Sequence, residues 1–314
     1  MGVSKKDVIN AYLLFLGRKP ENNKVIQEKI QRARNLNDLS REFVGSPEFR
    51  NRFNISKFDF KTNKMKIDNV TEEQLHTLIK LTIEAWERMG DEEPYWSVLT
   101  DDKFTMRKLN GDARNEFYQS GIADTEELIN TILRNNIVAR SEDLRKLDVL
   151  ELGCGTGRVT YSLTKYFKQV YALDISSGNL KIAKEMLRDV TNVEFFLIRG
   201  LEDYDNIPEF DIFYSILTLQ HNPPPIIEII IKKILNKMKT GGLAFFQVPT
   251  YMKNYSFQFD KYMKTARKGM EMHLLPQKTI FKLAAEENCI PCEVYECNRT
   301  GQNDFSTTFV FTKE

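Results

Sequence analysis

The sequence predicts an α/β fold, an open and mostly parallel sheet with helices on both faces, preceded by an all-helical unit. Three observations predict it. From Val149 onward, short apolar runs alternate with helical patterns. The first run ends in an acid and a turn with glycines at alternate positions, Glu151-Leu152-Gly153-Cys154-Gly155-Thr156-Gly157. The second run, Val170-Tyr171-Ala172-Leu173, also ends in an acid, Asp174.

The elements come in order along the chain. Residues 1–56 read as a small helical domain. Val8, Ile9, Tyr12, Leu13 and Leu16 form one apolar stripe that stops at Gly17. Val25, Ile26 and Ile30 form a second, and Leu36, Leu39, Phe43 and Val44 a third. Ser46-Pro47-Glu48-Phe49 opens a last short turn. Residues 57–69 are charged and poorly periodic, as a linker is. Residues 70–125 read as a helical extension that acts as a lid. It has an amphipathic helix over Val70–Glu87 and two aromatic stretches, Pro94–Leu99 and Glu116–Gly121. Tyr95, Trp96 and Tyr118 are its candidate substrate contacts. The same rings would equally bury the extra helices against the core.

Residues 126–314 form the main domain. Strands are expected at Val149–Leu152, Val170–Leu173, Val193–Ile198, Phe210–Leu219, Leu243–Val248, Cys292–Cys297 and Thr307–Thr312. Helices are expected at Val159–Tyr166, Ser176–Arg188, Pro225–Lys239 and Gln277–Asn288, with Gly241-Gly242 ending the third. Ligands of such sheets sit at the carboxyl ends of the strands, where Glu151, Gly153, Asp174 and Gln220 fall.

Glycine lets a backbone turn sharply and approach a ligand without a Cβ in the way. A dinucleotide loop would carry its third glycine one place later than Gly157, and a phosphate-binding loop would carry Lys-Ser/Thr where Arg158-Val159 stands. The motif series continues through Asp174-Ile175-Ser176, Gly200-Leu201-Glu202-Asp203, Phe210–Ser215, Leu219-Gln220-His221 and Gly241-Gly242. Over residues 126–314 it resembles the Rossmann-like methyltransferases that use S-adenosyl-L-methionine. The resemblance implies a doubly wound sheet of seven strands, the last one antiparallel. It implies that the loop residues Glu151, Gly153, Cys154, Gly155 and Gly157 carry the amino-acid half of the cofactor. Asp174 and Ile175 would hold the ribose, and Leu201 and Glu202 would flank the adenine. Leu201 departs from the family, whose members often carry an acid there. Leu217 and Gln220 complete the expected cofactor contacts.

The sulfonium methyl is already activated, so the protein's task is to align it with a nucleophile. A hydroxyl acceptor also needs a base. Of the three histidines, His221 follows strand four, where the family places residues beside the methyl group. It reads as a general base or as a residue that shapes the pocket. His273, with Glu271 able to orient it, is a second candidate for catalysis and for substrate binding. His76 reads as a surface residue. No metal is expected, because no acid follows strand four before Glu228. Cys289, Cys292 and Cys297 have a faintly zinc-like spacing but no fourth ligand at a clear interval.

Asn222-Pro223-Pro224 resembles a motif of amino-methyltransferases that act on nucleic acid or glutamine. Here it stands too far past the strand, Pro225 replaces the aromatic residue, and the prolines suit a helix start. Net charge is +1, from 45 basic and 44 acidic residues, with no basic stripe. Nucleic acid is therefore not the expected partner. The Lys5–Gly17 stretch mimics a signal peptide, but Asn10 interrupts it and no small-residue cleavage site comes after it. No segment is apolar enough to span a membrane, and four cysteines in so long a chain suit a reducing cytoplasm.

Tyr12–Pro20 together with Phe43–Phe49 resembles a small bacterial domain found on secreted proteins and on enzymes of surface-glycan assembly. That resemblance implies a saccharide as the methyl acceptor. It also implies that residues 1–56 serve a homo-oligomer or a glycan-assembly partner. Other acceptors (a lipid, a natural product, a protein nitrogen) and a non-catalytic adaptor are the alternative readings.

Overall fold

The computed structural model describes residues 3–44, 46–52, 65–252, 254–265, 270–297, 299–300 and 304–314. Its contacts divide the chain into two compact units, Met1–Lys64 and Met65–Glu314.

In the first unit, α1 (Lys5–Ala11) starts from a capping box in which Ser4 and Asp7 satisfy each other's backbone N–H groups. It runs into a π-helical turn, Tyr12–Leu16, which Gly17 ends at φ 63°. α2 (Asn23–Arg32) is capped by Asn22 and is followed by α3 (Leu36–Val44) and α4 (Pro47–Arg52). Val8, Tyr12, Leu16, Ile26, Leu39 and Phe43 form the core. The two halves of the front motif meet here: Tyr12 packs edge-on against Phe43, and the Arg18 guanidinium forks onto Glu48.

The second unit opens with β1 (Lys66–Ile67), α5 (Glu72–Glu92), α6 (Pro94–Val98) and α7 (Gly111–Arg134). Next come β2 (Asp148–Leu152), α8 (Thr160–Leu163), β3 (Gln169–Asp174), α9 (Ser177–Met186), β4 (Val193–Leu197) and β5 (Phe210–Ser215). The chain ends with α10 (Pro224–Lys237), β6 (Met238–Met252), β7 (Ser256–Phe257), α11 (Phe259–Lys264), α12 (Gln277–Glu286), β8 (Cys289–Cys297) and β9 (Asp304–Lys313). Among the described residues the main sheet has seven strands in the order β4-β3-β2-β5-β6-β9-β8. β9 runs antiparallel to both neighbours, and the other ladders are parallel.

Alternation along the strands splits the core in two, because successive side chains point to opposite faces. Leu150, Leu152, Phe213 and Phe246 pack with Ile226, Ile230 and Ile234 of α10 on one face. Val149, Tyr214 and Phe245 pack with Leu128 and Ile132 of α7 on the other. Both faces are covered, so the central strands read as unbroken apolar runs.

Two expectations, both of element bounds, are corrected. The strand expected to reach Leu219 ends at Ser215, and the chain turns at Leu217 with φ 55° into a 3-10 turn, Leu219–His221. The apolar run continued past the strand because Ile216 and Leu219 are buried in the turn as well. The helix expected over Val159–Tyr166 is helical only over Thr160–Leu163. The boundary expected at 125/126 falls inside α7, one continuous helix. Of the expected linker, residues 57–64 lie outside the described residues, and Lys66–Ile67 pairs in parallel with β7. No helix among the described residues is long and apolar enough to cross a membrane.

Candidate functional site

β2 pairs in parallel with both β3 and β5, so three carboxyl ends open side by side. The turns that leave these three strands, with residues of α5 and α6, line a cleft of ≈ 880 Å³ that opens to solvent. After β2 the chain turns through Gly153, Gly155 and Gly157 at φ 78°, 54° and 86°, a region that costs any residue with a Cβ. A Cβ on Gly153 would run into Thr218, and one on Gly155 into Val98. Thr218 and Val98 are themselves cavity walls. Gly157 faces away, toward Ala183 of α9 and Leu187 just beyond it, so its glycine serves the turn and not the cavity.

Asp174 at the end of β3 holds this loop. Its Oδ2 accepts the Gly155 N–H at 2.7 Å and its Oδ1 the Ser176 N–H at 2.8 Å. Burial raises its pKa to about 6, against the pull of those backbone donors. Glu151, one residue before the end of β2, is raised to about 7 by burial. Thr160 donates to it at 2.6 Å. Arg158 also lines the cavity, its guanidinium 2.6 Å from Asp124 of α7, whose other oxygen receives Arg299 at 2.9 Å. Three cavity residues carry buried polar atoms with no partner in the protein: Arg158 Nε, Asn179 Oδ1 and Tyr214 Oη. Such atoms are costly unless something meets them.

A smaller cavity, ≈ 340 Å³, adjoins the first. Leu81, Ala85 and Met89 of α5 form one wall, and Tyr262, Met270 and Glu271 another. Trp86 and His221 line both cavities, their rings 5.0 Å apart. Burial lowers the His221 pKa to about 4, against the pull of the Glu271 carbonyl, which lies 2.9 Å from Nδ1. A carbonyl only accepts, so Nδ1 carries the hydrogen and the neutral ring keeps a lone pair on Nε2.

Of the expected cofactor residues, the large cavity gathers Glu151, Gly153, Cys154, Gly155, Asp174, Ile175 and Leu217, and His221 with them. It does not gather Gly157, Leu201, Glu202 or Gln220. Leu201 turns into the core, and Glu202 is exposed beside His76. Ile198 and Tyr204, on either side of them, line the cavity instead. The substrate candidates Tyr95 and Tyr118 are buried with Phe104 and Phe117, where Tyr118 donates to the Thr156 carbonyl at 3.2 Å. Trp96 lines neither cavity; Ser97 and Val98, next along α6, line the large one. His273 also lines neither. It is buried among Tyr255, Phe257 and Tyr262, with Nδ1 2.7 Å from the Tyr255 hydroxyl. Trp86, Asn179, Tyr204 and Thr218 are cavity residues that motif reading missed. Only Trp86 and Tyr204 left a trace in the sequence, as large side chains within helical segments.

Residues 149–242 match a family described as a methyltransferase domain. A tRNA/tmRNA (uracil-C(5))-methyltransferase of Nitratiruptor sp. is 34% identical over 89 residues, which is 24% of this chain and 25% of that protein. A ubiquinone biosynthesis O-methyltransferase of Aliivibrio fischeri is 26% identical over 151 residues, 46% of this chain and 64% of its own length. The chain thus spans less than two thirds of either relative. The solved magnesium protoporphyrin IX methyltransferase of Synechocystis PCC 6803, with bound SAH, superimposes with a TM-score of 0.51 at 13% identity, covering 76% of this chain and 99% of that one. Residues 149–242 thus resemble a methyltransferase domain, and the chain has the fold of that solved methyltransferase.

Proposed function

We propose that this chain transfers a methyl group from S-adenosylmethionine to a hydroxyl, with His221 as general base. One observation carries the reading: His221 lies on the wall shared by the two cavities, with the hydrogen of its neutral ring committed to the Glu271 carbonyl. The larger cavity suits the cofactor. Its glycine loop admits close approach, and Asp174 at the end of β3 can accept from ribose hydroxyls. When bound, S-adenosylmethionine supplies an electrophilic methyl on a cationic sulfur.

The protein's own part is alignment and proton removal. The acceptor hydroxyl enters through the smaller cavity, against Trp86. The hydroxyl proton would pass to His221 Nε2 as the hydroxyl is methylated. With a pKa of about 4, the ring then releases that proton readily to solvent at neutral pH. Concert between the two events matters, because so weak a base removes the proton only as the hydroxyl becomes acidic.

The acceptor we favour is a saccharide of a surface glycan, methylated in the cytoplasm. The support is the likeness of the front unit to domains of glycan-assembly enzymes, and residues 1–56 would then be the docking module. The apolar wall of Leu81, Ala85, Trp86, Met89 and Met270 favours a second reading, a hydroxyl on a hydrophobic ring such as a lipid or natural product. Transfer of labelled methyl from S-adenosylmethionine into fractionated extracts separates them. Label in a lipid-linked or surface glycan supports the first, and label in an organic-soluble small molecule supports the second. Absence of cofactor binding by calorimetry would remove both.

A further inference from the structure

Gln247 sits on β6, fully buried, with Gln220 and His221 in the turn beyond β5. The direction of each of its hydrogen bonds is set by its partners. The Leu217 N–H can only donate, so the side-chain oxygen of Gln247 faces it, at 2.9 Å. The Gln247 amide nitrogen then points to Gln220 Oε1 at 3.0 Å and to Ser306 Oγ at 2.6 Å. That leaves the Gln220 amide nitrogen facing His221 Nε2 at 3.4 Å. An amide nitrogen donates and does not accept, so this contact favours Nε2 as the acceptor, while the Leu217 carbonyl also draws on the ring's hydrogen. At the far end the Glu271 carbonyl requires the hydrogen on Nδ1. Both ends of the chain of bonds, each a backbone group, favour the same tautomer.

We propose that Gln247 is a positioning residue: through Gln220 it holds His221 with its lone pair on Nε2 and its hydrogen on Nδ1. The proposal rests on the reading of His221 as base. In the other tautomer a ring N–H would face the Gln220 amide N–H. Relieving that clash turns Gln220 over, which sets its nitrogen against the Gln247 nitrogen. Turning Gln247 in response sets its nitrogen against the Leu217 N–H. The wrong tautomer therefore breaks bonds along the whole relay, and buried polar groups left unpaired are costly. Leu217 gives the relay its fixed end: its φ of 55° is held by the tight turn that leads to His221.

The test is nitrogen NMR of the whole chain with labelled histidine, the His221 signals being assigned by their loss in His221→Gln. In the unaltered protein between pH 6 and 8, Nδ1 should carry the hydrogen and Nε2 should be bare. A hydrogen on Nε2 overturns the proposal. Gln247→Met frees Gln220 to turn over and leaves the Leu217 carbonyl, which also draws on the ring's hydrogen, to compete with the Glu271 carbonyl, so His221 should exchange between tautomers and kcat should fall about tenfold, with cofactor affinity unchanged. A single unaltered tautomer in this variant overturns it. Gln220→Glu keeps the shape but sets an acceptor against Nε2, so His221 should titrate near or above neutrality; an unmoved titration also overturns it. The tautomer decides the relay. The base reading is decided separately, by whether His221→Ala retains full activity.

Discussion

The carboxylate of Asp174 accepts the Gly155 N–H at 2.7 Å, so the acid that ends β3 holds the loop that leaves β2. In the proposed function the same residue would also hold the cofactor's ribose. Asp174→Asn keeps the shape but puts a donor where one of two backbone N–H groups must be accepted. Cofactor affinity should fall at least about tenfold, the scale of one lost charge-assisted hydrogen bond. Calorimetric titration checks it, and unchanged affinity would remove Asp174 from the site.

Removal of His221 separates chemistry from binding. His221→Ala should lower kcat by about 10²–10⁴-fold while cofactor affinity stays within about twofold, since the contact is made to the acceptor. A loss of affinity matching the loss of rate would instead make His221 part of the cofactor cradle.

The pH dependence should run in opposite directions for stability and binding. Burial raises Glu151 from 4.5 to about 7 and Asp174 from 3.8 to about 6. Between the ordinary and the raised values the folded, ligand-free protein binds more protons than the unfolded chain. Its stability should therefore fall as pH rises from about 4 to 7, with the buried neutral ring of His221, lowered from 6.5 to about 4, offsetting part of that loss below pH 6.5. Cofactor affinity should rise over the upper part of that range, as Asp174 ionises and can accept from hydroxyls. Thermal unfolding and calorimetry at pH 5 and 7.5 measure the two. His221, near 4, should add no inflection between pH 5 and 8 at saturating cofactor.

α7 touches the glycine loop through a residue with no side chain. A Cβ on Gly121 would run into the Arg158 carbonyl oxygen. Gly121→Ala should cost about 1–3 kcal/mol of stability and weaken cofactor binding by displacing Arg158. Gly111→Ala, in open space at the start of the same helix, should do neither. Denaturant unfolding of the two variants compares them.

Much of the main sheet was legible because its signals are local. Central strands covered on both faces must be mostly apolar, and a tight turn that repeats positive φ at alternate residues, as after β2, favours glycine at each. Hence the β2 loop and Asp174 could be read directly. Where burial and strand formation part company, as at Ile216 to Leu219, the apolar run misled by extending a strand into a turn. Leu201 and Tyr204 illustrate the same limit. Both are buried in the same core and close in sequence, but of the two only Tyr204 also reaches the cavity wall.

By itself the sequence determined the sheet with its helices on both faces, the loop after β2 and the acid after β3, because each depends on spacing and on backbone conformations only certain residues adopt. Only the tertiary structure decided that Trp86 of α5 meets His221 across two cavities, that His273 is enclosed by aromatic rings away from both, and that Gln247 governs the His221 ring. Those relations join residues far apart in the chain through side-chain packing and the direction of hydrogen bonds, and neither leaves a period or a motif in the order of amino acids.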